Sequence, residues 1–387
     1  MRKIFSGILC IAMILSTSII GFAAEITTSG GKNQTVVSYG MDESFVVVIP
    51  ADFDLSSNGT TEAEVSASNV MIKDDTELVV FISGDDYVDN WELIDKNESD
   101  NRLVYTIGTT EGADDIVNNS EVLVVSAGEA YNNTVVEKMY FNIVDTVSQA
   151  GIYTDTLTFT VGFYCRGASG NLYRVNFASS SWEDIILAVE NDEVPKHWLI
   201  GDTKSMLIGS SSYDVRIIGK HHDIYSDGSG TAPLTLQLVK PYGTYAMNTT
   251  QTNRVSWVES QLRTQTMPLL MADMPDFVQD AIKSVDKYTI KGYGRGYPNT
   301  TEIETTSDKL FVLSETEFKG TQTYSKVKEG EQYLYYKNTG DYAYGTILWL
   351  RTPSTADRFQ FVGVDTNGAL GLGYSHNKFA VPFAFCF

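Results

Sequence analysis

The chain has 387 residues, of which 43% are hydrophobic, so it can bury extensive cores and global disorder is excluded. It carries 49 acidic against 28 basic residues, a formal charge of -21, and such acidity argues against a nucleic-acid partner, because phosphate binding draws on clustered Lys and Arg. Its three cysteines are too few for a disulfide-dense scaffold or a four-cysteine zinc site.

The first residues have the pattern of a secretory signal. Arg2 and Lys3 form a short positive region, an apolar run follows over residues 4–20, and small residues suited to cleavage stand at positions 21 and 23. The alternative is a retained transmembrane helix, which is disfavoured because the run is short for a span of about 20 residues and a processing site follows it. We expect residues 1–23 to be removed. The mature chain is then secreted or held at the extracellular surface, with no membrane insertion.

Charge divides the mature sequence into two parts. Residues 25–163 hold 25 acidic and 5 basic side chains, whereas residues 164–387 hold 24 acidic and 21 basic ones. Such a step in composition marks a domain boundary, which we place near residues 162–170. A typical domain size of about 150 residues also favours two domains for this length.

The first part, residues 25–163, has the pattern of short strands separated by acidic turns. The run 153–161 alternates polar and apolar residues, as expected of a strand with one buried face, and the whole pattern predicts an antiparallel β-sandwich. The carboxylates between Asp85 and Asp100 do not form the spaced calcium loop that ends in a bidentate Glu, so we expect them on solvated faces. The predicted strands cover 44–50, 64–68, 77–83, 121–126 and 153–161.

The second part, residues 164–387, mixes helix and strand patterns, which predicts an α+β domain. Ser181 precedes an apolar-periodic stretch and Asp184 stands three residues on, the spacing of a capping box. Further helices are predicted over 254–263 and from Pro275, which stands where a first-turn Pro is tolerated. The predicted strands cover 214–219, 309–314, 347–351, 359–364 and 381–387.

Seven short sequence blocks follow one another in the second part. They are WEDI at 182–185, VRIIG at 215–219 with the following His222-Asp223, WVESQLR at 257–263, DKLFVLSE at 308–315, EGEQY at 329–333, WLRTP at 349–353 and VPF at 381–383. This ordered set resembles a family of secreted Firmicutes proteins, domain of unknown function 6273, and implies a bacterial exported module with no assigned activity. Members often carry an Arg before the final Pro, whereas Val381 stands here.

Two further likenesses concern the fold. The run 150–159 looks like the last strand of immunoglobulin-like modules in Gram-positive surface proteins, which act as spacers or docking units. The blocks 349–353 and 381–383, with a Gly-rich turn between them, look like C-type-lectin-like modules of the formylglycine-generating type, in which the first and last strands pair. Such pairing implies that Cys165 and Cys386 are neighbours. Either they form one disulfide after export or they stay as two buried thiols, and the sequence leaves both open.

Catalytic signatures are weak along the sequence. His222 and Asp223 are the best metal candidates, although adjacent strand residues point in different directions and a structural contact is the stronger prediction. No Gly-x-Ser-x-Gly elbow occurs, and the glycine-rich run 292–296 neither follows an apolar strand nor leads into a helix. We therefore predict no catalytic residue, no metal site and no cofactor. A glycan or peptide hydrolase is the alternative, because any acidic protein offers the two carboxylates that a glycosidase needs.

Tyrosine-rich segments favour recognition. Exposed Tyr, Asn, Ser and Gly build rigid contact surfaces, because Tyr offers a large amphipathic area at small entropy cost and its ring stacks on sugars. The glycine-rich segment 292–301 is the expected binding loop, and a second Tyr-rich segment surrounds residues 337–340. At least half of these tyrosines are expected to cover the core instead. The predicted ligand-binding residues are Tyr293, Arg295, Tyr297, Asn299, Tyr342 and Tyr344.

These patterns together predict a bacterial surface or extracellular protein, adhesin-like and non-enzymatic. An acidic immunoglobulin-like β-sandwich would act as a spacer and display a lectin-like recognition domain for a glycan or protein ligand. A structural envelope component, which self-associates without any ligand, is a third class. The sequence determines neither the ligand nor the oligomeric state.

Overall fold

A computed structural model describes residues 42–85, 87–293, 296 and 300–387. The predicted signal, residues 1–23, lies outside this part. The chain forms two compact units that divide between Arg166 and Gly167. The structure is mainly β with several antiparallel sheets, so the predicted fold class is confirmed. Within the described residues, no helix is both long and apolar enough to span a bilayer.

In the first unit, antiparallel strands form a β-sandwich. The strands are β1 (Ser44–Val48), β2 (Thr61–Met71), β3 (Glu77–Gly84), β4 (Trp91–Asp95), β5 (Arg102–Gly108), β6 (Ser120–Ser126), β7 (Thr134–Ile143), β8 (Tyr153–Thr154) and β9 (Leu157–Arg166). One sheet has the order β1-β2-β7-β5-β4-β8, and the other contains β9, β3 and β6 in that order. Alternate side chains of both sheets, among them Val65, Val80, Ile107 and Phe141, pack into one buried core.

The strand predicted over 153–161 is in fact two strands in different sheets. β8 pairs with β4 in the larger sheet, whereas β9 pairs with β3 in the smaller one. The chain changes sheets at Asp155, whose carboxylate accepts hydrogen bonds from the Tyr105 hydroxyl (2.6 Å) and the Thr156 amide (2.6 Å). The bond to the Thr156 amide is local and competes with the strand ladder, and the alternation of apolar residues continues across the break without marking it.

The second unit adds short helices to mostly antiparallel sheets. Its helices are α1 (Trp182–Glu190), α2 (Met267–Ala272), α3 (Asp276–Ala281), α4 (Glu315–Lys319) and α5 (Leu334–Thr339), with a 3-10 turn at Phe177–Ser179. Its strands are β10 (Leu172–Arg174), β11 (Thr203–Ile208), β12 (Ser211–Gly219), β13 (Thr235–Leu238), β14 (Thr244–Ala246), β15 (Val285–Ile290), β16 (Ile303–Asp308), β17 (Leu310–Phe311), β18 (Leu348–Pro353), β19 (Gln360–Val364), β20 (Leu370–Tyr374), β21 (Lys378–Ala380) and β22 (Ala384–Cys386). One sheet has the order β11-β12-β13-β22-β17, a second the order β14-β21-β18-β19-β20, and β15 pairs with β16. The pair of β18 and β21 is parallel.

The predicted capping box at the start of α1 is confirmed. The Asp184 amide donates to the Ser181 hydroxyl (2.9 Å), and the Asp184 carboxylate accepts from the Ser181 amide (3.4 Å). The helix expected from Pro275 is also present as α3, with Pro275 as its N-cap. Both signals are local, because a cap is made by residues within one turn of each other.

The helix predicted over 254–263 is wrong. Turns occupy most of this segment, and Ser256 has a left-handed φ of 52°, so a regular helix cannot continue through it. A π-helical stretch follows at Leu262–Thr266. Trp257 in this segment is buried without a regular helix, and its indole N–H donates to the Asp308 carboxylate at 2.8 Å.

The last strand does not pair with the first strand of its unit. β22 lies between β13 and β17, with Cys386 opposite Thr235. Cys386 is buried there, and its thiol donates to the Asp223 carboxylate at 3.4 Å. No disulfide joins Cys165 in β9 to Cys386, so the structure has thiols at both positions. The expected neighbourhood of the two cysteines rested on strand pairing that does not occur, because both edges of β22 are already taken.

Candidate functional site

A buried network of charged side chains begins at Asp223, between β12 and β13. The Asp223 carboxylate accepts from the Lys287 ammonium, from the Tyr333 hydroxyl (2.9 and 3.0 Å) and from the Thr235 hydroxyl (2.5 Å). Burial alone raises the pKa of Asp223, but the charges of Lys287 and His222 outweigh it and hold the pKa at about 2. Both carboxylate oxygens are therefore engaged by protein donors.

The weak metal candidates His222 and Asp223 do not converge on a metal site. The His222 ring stacks on the ring of Tyr333, with centroids 4.0 Å apart. Across the part of the chain that the structure describes, no group of three or more His, Cys, Asp or Glu residues is placed to hold a metal ion. The two side chains instead contact Tyr333, whose ring lies against His222 and whose hydroxyl donates to Asp223.

The network continues from Lys287 to Glu317 and Arg351. The Lys287 ammonium lies 3.1 Å from one Glu317 oxygen, and the Arg351 guanidinium forms a two-pronged pair with both oxygens. Burial raises the pKa of Glu317, but Arg351 and Lys287 outweigh burial and leave it below its usual range. Arg351 also donates to the backbone carbonyls of Val312 (3.0 Å) and Tyr288 (3.1 Å), so this one side chain ties several segments together.

Glu329 is the carboxyl group beside this network whose pKa is raised. Its carboxylate accepts from the Ile290 amide (2.8 Å) and from the Thr352 hydroxyl, and its side chain is wholly buried. Burial raises the pKa of Glu329 to about 7, against the opposing charge of Arg351. A pKa near neutrality suits proton transfer, but the Glu329 side chain is not exposed to solvent.

Several of the seven sequence blocks contribute residues to this network. Blocks 308–315, 329–333 and 349–353 contribute Glu329 and Arg351 among other buried side chains. The blocks are thus explained by core construction, because a buried charge needs its partners in place. The available signal in the sequence was a charge inside an apolar run, such as Arg351 in the strand LWLRTP.

The second Tyr-rich segment is core rather than an exposed loop. Tyr335 and Tyr336 lie on α5, which replaces the loop expected around 337–340, and both are buried. Tyr342 is half-buried and stacks on Tyr336, with centroids 6.0 Å apart. The Tyr344 hydroxyl lies 2.8 Å from that of Tyr336 and accepts from the Arg216 guanidinium at 3.2 Å. Tyr342 and Tyr344 therefore make contacts within the unit that leave less of each side chain available to a ligand.

The expected binding loop is described only in part. Tyr293 is 37% exposed, and its amide donates to the Ser354 carbonyl at 3.1 Å. Arg295, Tyr297 and Asn299 lie outside the described residues. The structure thus brings Tyr293 to the surface and does not bring Tyr342 or Tyr344 to an equally open position.

A cleft of about 850 Å³ opens elsewhere in the second unit. The end of α1 forms one side of it, the loop between β12 and β13 another, and residues 283–284 the third. Three carboxylates line the cleft, those of Glu190, Asp192 and Asp227, together with the ammonium of Lys283. His221 also lines it, and its Nε2 lies 3.7 Å from an Asp192 oxygen.

Hydrogen bonding and charge fix the protonation of groups in the cleft. The Tyr225 hydroxyl donates to the Phe387 carbonyl (2.8 Å), and burial, with added charge from Asp192 and Asp227, raises the pKa of Tyr225 to about 12. The pKa of Asp227 is lowered, first by the Ser229 hydroxyl and then by the Ser229 amide. Near neutral pH the cleft thus offers a phenol and an ionised carboxylate, which donate and accept hydrogen bonds but are not tuned to transfer protons.

Sequence reasoning did not find this cleft. Its polar groups are dispersed in the chain, and each stands in an ordinary turn: Asp192 follows the end of α1, and Asp227 precedes Gly228. Left-handed φ angles of 55° at Asp192 and 47° at His221 have no dedicated glycine signal. Only the folded topology brings these segments together.

Comparison with known proteins gives a family match and a distant structural likeness. The sequence model of the domain of unknown function DUF6273 matches residues 230–387, so the resemblance to that family is confirmed for this range, which is less than half of the chain. No curated protein matches the sequence. A solved structure described as "Chaperone-tip adhesin complex is vital for synergistic activation of CFA/I fimbriae biogenesis" is similar at a TM-score of 0.24 and 15% identity, covering 30% of this chain and 41% of that one. This chain spans less than half the length of that structure, and at this TM-score the likeness carries no argument.

Proposed function

We propose that the chain is an exported extracellular binding protein, in which the second unit binds a polar glycan or peptide ligand in the cleft beside α1. The first unit acts as a spacer with an immunoglobulin-like arrangement, and the second as a lectin-like recognition head. The signal pattern at residues 1–23 supports export. The observation that carries the proposal is the cleft itself, because its volume of about 850 Å³ and its mixed apolar and hydrogen-bonding lining fit a small ligand or a peptide side chain.

The protonation of the carboxyl groups favours binding over hydrolysis. A glycosidase needs one carboxyl group with a raised pKa to act as a general acid beside an ionised one. In the cleft, Asp227 has a lowered pKa, which keeps it an acceptor. Glu329, whose pKa is raised to about 7, belongs to the buried network and does not line the cleft. The carboxyl group with the raised pKa therefore lies outside the lining of the cleft.

A glycan and peptide array tests this function and its site together. We expect the mature chain to bind one ligand class, and Asp192→Asn to weaken that binding about tenfold, since Asn keeps the left-handed backbone but removes the charge. Asp280→Asn is the matched control, because Asp280 is an exposed carboxylate on α3 that does not line the cleft. Tyr293→Ala tests the loop 292–301 as the rival site.

Each array result has a distinct meaning. Loss of binding in Asp192→Asn, with Asp280→Asn unchanged, supports the cleft. Loss in Tyr293→Ala alone would move the site to the loop and keep the binding function. The absence of any ligand, or release of a cleaved product from a bound glycan or peptide, would overturn the proposed function.

A further inference from the structure

We propose that the ligand of the cleft presents an alkyl chain that ends in an ammonium or guanidinium group, as a Lys or Arg side chain or a free alkyl diamine does. This inference rests on the proposed function, since it names the class of ligand for the same site. It follows from two independent features of the cleft, the chemistry of its wall and the balance of its charges.

Part of the wall of the cleft is aliphatic. Ile186 and Val189 contribute from α1, Ala281 from the end of α3, and Pro233 from the segment before β13. Aliphatic surface of this kind suits the methylene stem of a long amine, which buries its carbons while its charged head stays among polar groups.

The charges of the cleft favour a cation. Glu190, Asp192 and Asp227 bring three carboxylates from two separate segments, against the single ammonium of Lys283. The Ser229 hydroxyl lowers the pKa of Asp227, so this carboxylate stays ionised at neutral pH. Clefts lined mainly by one sign of charge attract ligands of the opposite sign and repel ligands of the same sign, here phosphates and uronates.

These carboxylates belong to this chain rather than to the family match. Glu190, Asp192 and Asp227 all precede residue 230, where the matched range begins. The apolar residues Pro233 and Ala281 lie inside that range. The preference for a cation is therefore a property that the segment 190–227 adds to the matched domain.

Lys283 offers a second way to test whether the cleft prefers a cationic ligand. Its ammonium lines the same cleft as Asp227, so it would compete with an incoming cation. Replacement by Gln removes this competitor but keeps a side chain of similar length. A cationic ligand should then bind a few-fold more tightly, whereas an anionic ligand should bind less tightly.

Titration calorimetry at low salt and about pH 7 tests the inference with defined probes. The probes are cadaverine, acetyl-Gly-Lys-Gly-amide and its uncharged twin, in which norleucine replaces Lys. We expect the Lys peptide to bind at least tenfold more tightly than its twin, with an affinity that falls as salt is added. Asp192→Asn and Asp227→Asn should each weaken it about tenfold, Lys283→Gln should strengthen it, and Asp280→Asn should leave it unchanged.

The same titrations distinguish a free diamine from a protein side chain as the source of the cation. Binding of cadaverine as tight as that of the Lys peptide assigns a free diamine, and binding of the peptide alone assigns a protein side chain. Equal binding of the Lys and norleucine peptides would overturn the inference and leave the proposed binding function standing. No binding of any cationic probe, with an unchanged unfolding curve in every variant, would also overturn it, even if the array reports a neutral or anionic ligand.

Discussion

The two units of the molecule place their charges in opposite ways. In the first unit apolar side chains fill the sandwich, and an ion pair such as Arg102–Glu92 (2.6 Å) stays 43% and 24% exposed. In the second unit Lys287, Glu317 and Arg351 are all at most 3% exposed. Water screens an exposed pair, whereas a buried charge depends wholly on its partners. The net acidity of a unit therefore says little about whether charge holds its core together.

The largest expected effect comes from removing one partner of the buried network. Arg351→Met leaves Glu317 buried beside Lys287 alone and should lower the free energy of unfolding of the second unit by about 3–5 kcal/mol. The matched change in the first unit, Arg102→Met, breaks an exposed pair and should cost less than about 1 kcal/mol. Urea unfolding of both variants measures the difference.

A conservative change keeps this comparison informative if Arg351→Met does not fold. Arg351→Lys retains the charge but loses the planar fork that bonds both Glu317 oxygens, so its stability should lie between the wild type and Arg351→Met. Equal losses for Arg351→Lys and Arg102→Met would contradict the structural role of the buried network.

The next effect is a dependence of stability on pH. The pKa of Glu329 is raised from 4.5 to about 7 in the folded state, so folding favours its protonated form. Its contribution is fully present below about pH 4.5 and is lost as the pH rises through about 7, a change on the order of 3 kcal/mol. Glu329→Gln, which cannot ionise, should flatten this fall between about pH 5 and about pH 8.

Urea unfolding at several pH values checks the Glu329 prediction. The wild type should lose stability across this range and Glu329→Gln should not. The same slope in both proteins would show that Glu329 does not titrate in that range. Arg102→Met should keep the wild-type slope, because its ion pair is exposed.

The smallest expected effect belongs to a purely local contact. Ser181→Ala removes the hydroxyl that accepts from the Asp184 amide at the start of α1 and should cost about 1 kcal/mol. Thermal unfolding of the variant gives the value. If Ser181→Ala lost as much stability as Arg351→Met, the burial of a polar group would not predict how much it contributes to stability. That result would contradict the comparison of the two units.

The features that the sequence predicted are those set by neighbours in the chain. The capping box at Ser181 and the strands predicted at 44–50, 64–68, 77–83 and 121–126 follow local rules and are present, whereas β4, β5 and β7 were not predicted. The helix over 254–263 failed because Trp257 is held by Asp308, a partner 51 residues away. The sequence did not predict the change of sheet at Asp155, because the side chain that binds Asp155, Tyr105, is 50 residues away.

The candidate site could be predicted least of all. Lys287 meets Asp223 across 64 residues and Glu317 across 30, so no spacing rule reveals the network. The cleft likewise needs the end of α1 to face the loop between β12 and β13. Tyr335 and Tyr336 are buried on α5, as expected of the tyrosines that cover the core, but the sequence did not show which tyrosines these would be.

Hydrogen–deuterium exchange, with and without the ligand selected on the array, tests most directly whether the cleft is the binding site. Bound ligand should slow exchange in residues 190–193, 221–231 and 283–284, while the first unit stays unchanged. Protection confined to the loop 292–301, or spread over the first unit, would contradict the assignment of ligand binding to this cleft.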